Sequence, residues 1–198
     1  MTNPNSNLVI AAAAGGGTTG AELLWVAPTG TTLPTNTTTA LTTVSTSWNG
    51  MGYVSTDGVT LGQDESWEEI EAFGAASIVR KVNKGVKHTF NVEWMEHKLD
   101  VLEVVNRLDL GTIAPSATGA FTIRRGVVGV QRYSFVIDIV DDTNHIRHVV
   151  PNAEVTDVKE QKVTAGAAIT HAGEITCYPD ASNISIYSYY LIPALASS

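Results

Sequence analysis

Five carboxylates crowd one short segment of this chain. Asp64, Glu65, Glu68, Glu69 and Glu71 all fall within WNGMGYVSTDGVTLGQDESWEEIEAFG, Trp48 to Gly74. A close pair of acids is the machinery of a glycoside hydrolase, provided one has a raised pKa and both face a cleft with aromatic platforms. Trp67 and Phe73 are nearby, but on a strand Trp67, Glu69, Glu71 and Phe73 share one face while Glu68 takes the other. The pair does not converge. Like charges on neighbouring positions also repel. The segment is therefore expected either to lie under the screening of water or to line something that must repel another polyanion.

Other chemistry-bearing patterns fail on context. Gly15-Gly16-Gly17-Thr18-Thr19-Gly20 satisfies G-x-G-x-x-G, the spacing that lets backbone N–H groups approach a pyrophosphate. No Asp or Glu lies between Glu22 and Asp57 to hold a ribose, and no alternation of strands and helices follows. A glycine-rich connection is the better reading. Among the five histidines only His145 and His148 are close in sequence, with Asp141 and Asp142 beside them. On a strand, positions three apart point to opposite faces, so the rings would not meet at one ion and exposed hairpin histidines are expected. Cys177 has no base near it in sequence, and no G-x-S-x-G occurs. Arg124, Arg125, Arg132 and Arg147 are read as surface cations, available in an oligomer to acids of a neighbouring copy. The expectation is a protein without catalytic residues, cofactor or metal.

The bulk numbers narrow the class. The chain has 198 residues, enough for one domain with a real core, and a net charge of −8. No Lys or Arg precedes Arg80, whereas Glu22, Asp57 and the five clustered acids do. This balance argues against gripping nucleic acid by phosphate neutralisation. One cysteine excludes an intrachain disulfide and suits a reducing compartment. The opening MTNPNSNLVIAAAA has no positive charge before its apolar run, a poor signal peptide, and no apolar run reaches the ~20 residues that span a bilayer.

The elements that must position these residues read as mostly β. Strands are expected at Ala21 to Ala27, Ser66 to Phe73, Ala75 to Val82 and Val86 to Met95. In the last, Val86, Phe90, Val92 and Trp94 face one way and Lys87, Thr89, Asn91 and Glu93 the other. Further strands are expected at 119–125, 130–140, 146–150, 153–160, 168–178 and 184–191. Tyr133, Phe135, Ile137 and Ile139 should form one apolar face, and Asp141 to Asn144 a hairpin turn. One helix is expected, His97 to Leu108, with Leu99, Leu102, Val105 and Leu108 as its core stripe and Lys98, Asp100, Glu103 and Arg107 outward. Asp109 and Gly111 would stop it. The predicted fold is mainly β: a β-sandwich or barrel with one flanking helix. Residues 1–14 read as a flexible arm, 15–192 as a single domain with an extended, Thr-rich loop over about 28–62, and 193–198 as a tail.

The order of motifs resembles a known family. Trp48 to Gly58 is similar to the W…GYVS-DGV segment of the major tail tube proteins of long-tailed bacteriophages, followed by the acidic strand ending near Phe73-Gly74. A basic strand pair (Arg80, Lys81, Lys84, Lys87) comes next, then a strand-and-helix unit from Val86 to Leu108 with Glu93, Leu99 and Asn106 in familiar places. Pro151 to Val155 and Tyr178-Pro179-Asp180 resemble the closing strands and turn.

The resemblance implies a virion structural protein, made in the host cytoplasm and residing in the tail. Its copies would form hexameric rings, each subunit giving strands to a barrel that lines the lumen. The rings would stack into a tube through which genomic DNA passes without specific binding, and tape-measure and tail-end proteins would join during assembly. Asp64, Glu65, Glu68, Glu69 and Glu71 become candidates for lumen or ring-interface positions. Trp48, Gly52, Tyr53, Asp57 and Gly58 become candidates for an inter-ring loop. A tail terminator or secretion-tube ring protein is a second structural reading. A carbohydrate-binding β-sandwich or adhesin, using Tyr187, Tyr189 and Tyr190, is a reading from another class, and an enzyme comes last.

Overall fold

The computed structural model describes residue 10 and residues 22–74, 77–127 and 129–196. Most of the expected arm at 1–14 and the glycine run at 15–20 lie outside the described residues. The elements run β1 Leu24–Pro28, α1 Leu41–Val44, β2 Asn49–Gly50, β3 Val54–Glu71, β4 Ile78–Trp94, α2 Leu99–Val105, β5 Tyr133–Asp141, β6 Asn144–Val158, β7 His171–Tyr178 and β8 Tyr187–Leu191. A 3-10 turn, Pro193–Leu195, lies in the expected tail.

All pairings are antiparallel, in the order β2-β1-β5-β6-β7-β4-β3, with β8 also on β6. The long strand β6 joins two halves. Residues 144–150 pair with β5 and 152–158 with β7, with Ala153 facing both Tyr133 of β5 and Cys177 of β7. The register breaks where the strand passes between them, around Pro151. A proline has no N–H to give a ladder and is tolerated at such a break. Its carbonyl is used, accepting from Ser134 Oγ at 2.8 Å. The two strands expected at 146–150 and 153–160 are thus one.

The core lies between the halves. Leu24 and Val26 of β1, Phe90, Val92 and Trp94 of β4, Tyr133, Phe135 and Ile137 of β5, and Ile175 of β7 pack with Val101, Val104 and Val105 of α2. Phe90 and Phe135 meet edge to face at 5.3 Å. Alternation turns the intervening residues, Ala27, Val136 and Val149, to the other side, where Leu41 and Trp48 cover them. The Thr-rich stretch is therefore folded down as a lid on a second small core. It holds a helical turn and a short strand, and β3 begins at Val54, so it is not one extended loop over 28–62.

Three expectations need correction. Helix α2 is shorter than predicted and ends at Val105 with Asn106 as its cap, the chain turning away at Arg107, which takes a left-handed conformation (φ 55°). That backbone is costly for a residue with a Cβ. It is held by Arg107 Nε and Nη2 donating to the carbonyls of Val155 (2.9 Å) and Thr156 (3.3 Å). The core stripe moves with it: Leu102 and Val105 are buried, but Leu99 and Leu108 only half so. Glu103 does not face outward. It is buried, and its carboxylate accepts the backbone N–H groups of Gly111 (2.8 Å) and Ile113 (2.6 Å), tying down the chain after the helix. Finally, residues 119–125 form no strand, having no neighbouring strand to pair with.

Candidate assembly surface

The strands expected at 66–73 and 75–82 are described as 66–71 and 78–82, parts of one long hairpin of 18 and 17 residues, β3 and β4. Its base is anchored: from His88 to Trp94, β4 lies between β3 and β7, with His88 opposite Cys177 and Trp94 opposite His171. Beyond His88, among the described residues, β4 pairs with β3 alone. The distal ribbon, Asp64–Glu71 against Ile78–Lys87, stands clear of the body by roughly 25 Å at about 3.3 Å per residue. Every β3 residue from Gln63 to Glu71 is exposed. So are Trp67 (51%), Ile70, Ile78 and Val79, and Phe73 is fully exposed.

The acidic cluster has its counter-charge across the ribbon. Asp64 faces Lys87 and Glu69 faces Lys81 in the register. Lys81 meets Glu69 at 2.6 Å and Lys84 meets Glu68 at 2.8 Å, while Lys87 reaches Glu174 of β7 at 3.3 Å. Glu65 accepts from Gln63 Nε2 (2.9 Å) and Trp67 Nε1 (3.1 Å). The repulsion expected from β3 alone is answered by basic β4. These exposed pairs add little stability each. Their consequence is a ribbon with one acidic strand and one basic strand, each with a backbone edge that is unpaired among the described residues.

Register also divides the acids between faces. Leu61 lies opposite the core residue Phe90, and Gln63 and Glu65 continue that face outward. Asp64, opposite Lys87, belongs to the other face, and alternation adds Glu68 to it. On the body this outer face carries Thr89, Asn91 and Glu93 of β4 and Glu174 and Thr176 of β7. At its far side Arg132 stacks on Tyr178, 3.8 Å from the ring centre, and pairs with Glu154 at 3.3 Å. The face is mainly polar on the body, with Ala172 opposite Glu93; on the ribbon it also carries Val82, opposite Glu68, and Ile70.

The loop candidates separate by burial. Trp48 is buried, with Nε1 donating to Thr32 O at 3.1 Å, so its indole is a core group and is not offered to a neighbour. Gly52 has φ 75°, and a Cβ there would meet the Glu96 carboxylate at 2.6 Å, so only glycine fits. Tyr53 (72% exposed) and Asp57 are on the surface. Gly58 (φ 67°) permits the bulge in which β3 carries extra residues between Val54 and Val59.

Arg147 was expected as a surface cation and is instead buried. Nε and Nη2 grip Asp138 at 2.6 and 2.8 Å, and Nη1 donates to the carbonyls of Asn36 and Thr39, both at 2.9 Å. A bidentate guanidinium thus pins the Thr-rich lid. Sequence spacing gave no sign of this, because its carbonyl partners lie more than a hundred positions away. His145 and His148 take opposite faces, as expected, but are half-buried, bonded to Asp138 and Ser188 respectively. Tyr187 and Tyr189 pack on the second core, leaving Tyr190 the exposed member of that group.

No helix among the described residues is long and apolar enough to cross a membrane. No curated protein matches the chain at a significant level. The family model described as phage tail tube protein matches residues 1–182, almost the whole chain. The mainly β fold with its flanking helix, the projecting charged hairpin and this match agree, and the chain belongs to the phage tail tube protein family, whose members are structural components of the virion tail.

Proposed function

We propose that the chain builds hexameric rings that stack into a tail tube, and that genomic DNA passes through the lumen during ejection. The observation that carries this reading is the distal ribbon of β3 and β4. A two-stranded ribbon is marginal by itself in water, and open edges with exposed apolar residues invite pairing. A neighbouring copy that covers the ribbon removes both problems at once. The mainly polar outer face of β3, β4, β7 and β6 is the lumen wall in this proposal. Asp64 and Glu68 then lie toward DNA and Glu65, Glu69 and Glu71 toward a ring interface. On this wall Lys84 and Lys87 offset Glu68 and Glu174, while Asp64 and Glu93 keep it from gripping phosphate, which lets DNA slide. Tyr53 and Asp57 supply inter-ring contacts, and tape-measure and tail-end proteins engage the tube ends during assembly.

The test is direct. The purified chain, concentrated and followed by light scattering and negative-stain electron microscopy, is expected to give hollow tubes of stacked six-fold rings. A chain that stays monomeric, both alone and when seeded with sheared tail fragments, would contradict the proposal.

A further inference from the structure

A cleft of about 610 Å³ opens at the C-terminal end of α2, between Arg124, Arg125, Gly126, Val127 and Gly129 on one side and the stretch from Thr156 to Lys159 on the other. In a chain of net charge −8 it is basic: Arg107, Arg124, Arg125 and Lys159 line it against a single carboxylate, Asp157. Arg107 is engaged with carbonyls, Arg125 with Asn106 (2.9 Å) and Lys159 with Asp157, so three of the four are held in place. Arg124 meets no carboxylate among the described residues. His171, also in the lining, is buried, and its Nε2 has no hydrogen-bond partner among the described residues. Burial, then His97 and Arg125, hold its proton affinity below the ordinary level, as a positive surrounding would. Val127, on the rim, is fully exposed.

The placement of this cleft is informative. Along the paired strands β4 and β7, the ribbon leaves the body at the His88–Cys177 end, and the cleft lies at the Trp94–His171 end. Arm and cleft occupy opposite ends of the same strands. A projection at one end and a complementary hollow at the other make a head-to-tail contact that does not close on itself. The ribbon's outer end offers what the cleft lacks. Phe73 is fully exposed, and Glu71 makes no ion pair among the described residues. From this we infer that the cleft is the receptor for the hairpin of a second copy, with Glu71 meeting Arg124 and Phe73 packing against Val127. The inference rests on the self-assembly reading and names which surfaces join one ring to the next.

Two full-length variants, F73C and V127C, are mixed under copper–phenanthroline oxidation, the native Cys177 being buried. A disulfide-linked dimer confined to the mixture is expected, and it supports the inference whether or not tubes are seen. Tubes with no cross-link in the mixture overturn the inference and leave the tube reading standing. Cross-linking of F73C alone shows a tip-to-tip contact and overturns it too. Neither tubes nor cross-links defeats both. In parallel, R124E and E71R should each cut assembly by about tenfold or more, and the charge-swapped double variant should recover most of it. A double variant no better than the worse single one counts against the pairing, and circular dichroism confirms that each variant is folded.

Discussion

Replacing Arg147 by alanine tests the claim that one buried guanidinium fastens the Thr-rich lid. Its side chain is 3% exposed and that of Asp138 10%, and the arginine makes four hydrogen bonds, two to the carboxylate and two to the lid's carbonyls. Removing the arginine leaves the buried Asp138 carboxylate with His145 as its one remaining side-chain partner among the described residues, and breaking a buried pair costs about 3–5 kcal/mol. For a chain of this size each kcal/mol moves Tm by about 2–4 °C, so the expected drop is roughly 6–20 °C. Arg147→Lys should fall in between, because an ammonium cannot reproduce the planar bidentate grip while reaching two carbonyls. The double variant R147A/D138A should be more stable than R147A, since it removes the stranded charge as well as the pair. The assay is thermal and urea unfolding by circular dichroism, with limited proteolysis of the stretch from Leu33 to Ser47 as a local readout. An R147A loss below about 1 kcal/mol, or a double variant whose losses simply add, would refute the reasoning.

Glu103→Ala should cost roughly 1–3 kcal/mol, because the buried N–H of Ile113 and the partly buried bond to the Gly111 N–H lose their acceptor; Glu103→Gln, which keeps one, should cost less, and urea midpoints will rank them. Burial holds the proton affinities of His148 and His171 below the ordinary 6.5. The unfolded chain therefore takes up protons first as pH falls, so the stability these groups contribute is intact above about 6.5 and is lost on acidification through their lowered folded values. Replacing both by glutamine should flatten the fall in urea midpoint between pH 7.5 and 5.5, and an unchanged slope would count against it. Asp100 has the opposite sign, its carboxyl raised above 3.8 by burial and by Glu103, so Asp100→Asn should relieve a cost present at neutral pH. The Cys177 thiol, buried and pushed up to about 12, should resist an aromatic disulfide reagent in the native chain and react at once in urea.

The class of the fold was legible because alternation survives wherever a strand has one wet face. Spacing puts Val86, Phe90, Val92 and Trp94 on one apolar face; the last three are buried, while Val86, out on the ribbon, is exposed. The position of the flanking helix was legible for the same reason, though its end was not: the left-handed turn at Arg107 depends on carbonyls of β6, far off in sequence. Long-range polar contacts were the general blind spot. Glu103 and Arg147 look like surface charges to any local reading, and only the fold brings them the N–H groups and carbonyls that make burial affordable. The acidic segment was conspicuous in sequence, yet its neighbour was needed to understand it. Read singly, β3 is a strip of repelling carboxylates; paired with Arg80, Lys81, Lys84 and Lys87 across the hairpin, it is one half of a two-signed ribbon. Whether a strand runs on past the body has no signature in periodicity, because a ribbon wet on both faces imposes none.

The central claim is that this ribbon joins copies of the chain into a tube. It is tested most directly by comparing the intact chain with one in which Asp64 to Lys87 is replaced by a two-residue turn, using sedimentation velocity with electron microscopy of the same samples. The account predicts tubes from the intact chain and a folded, monodisperse monomer from the shortened one, because the core lies entirely below the cut. Tubes of normal length from the shortened chain would contradict it.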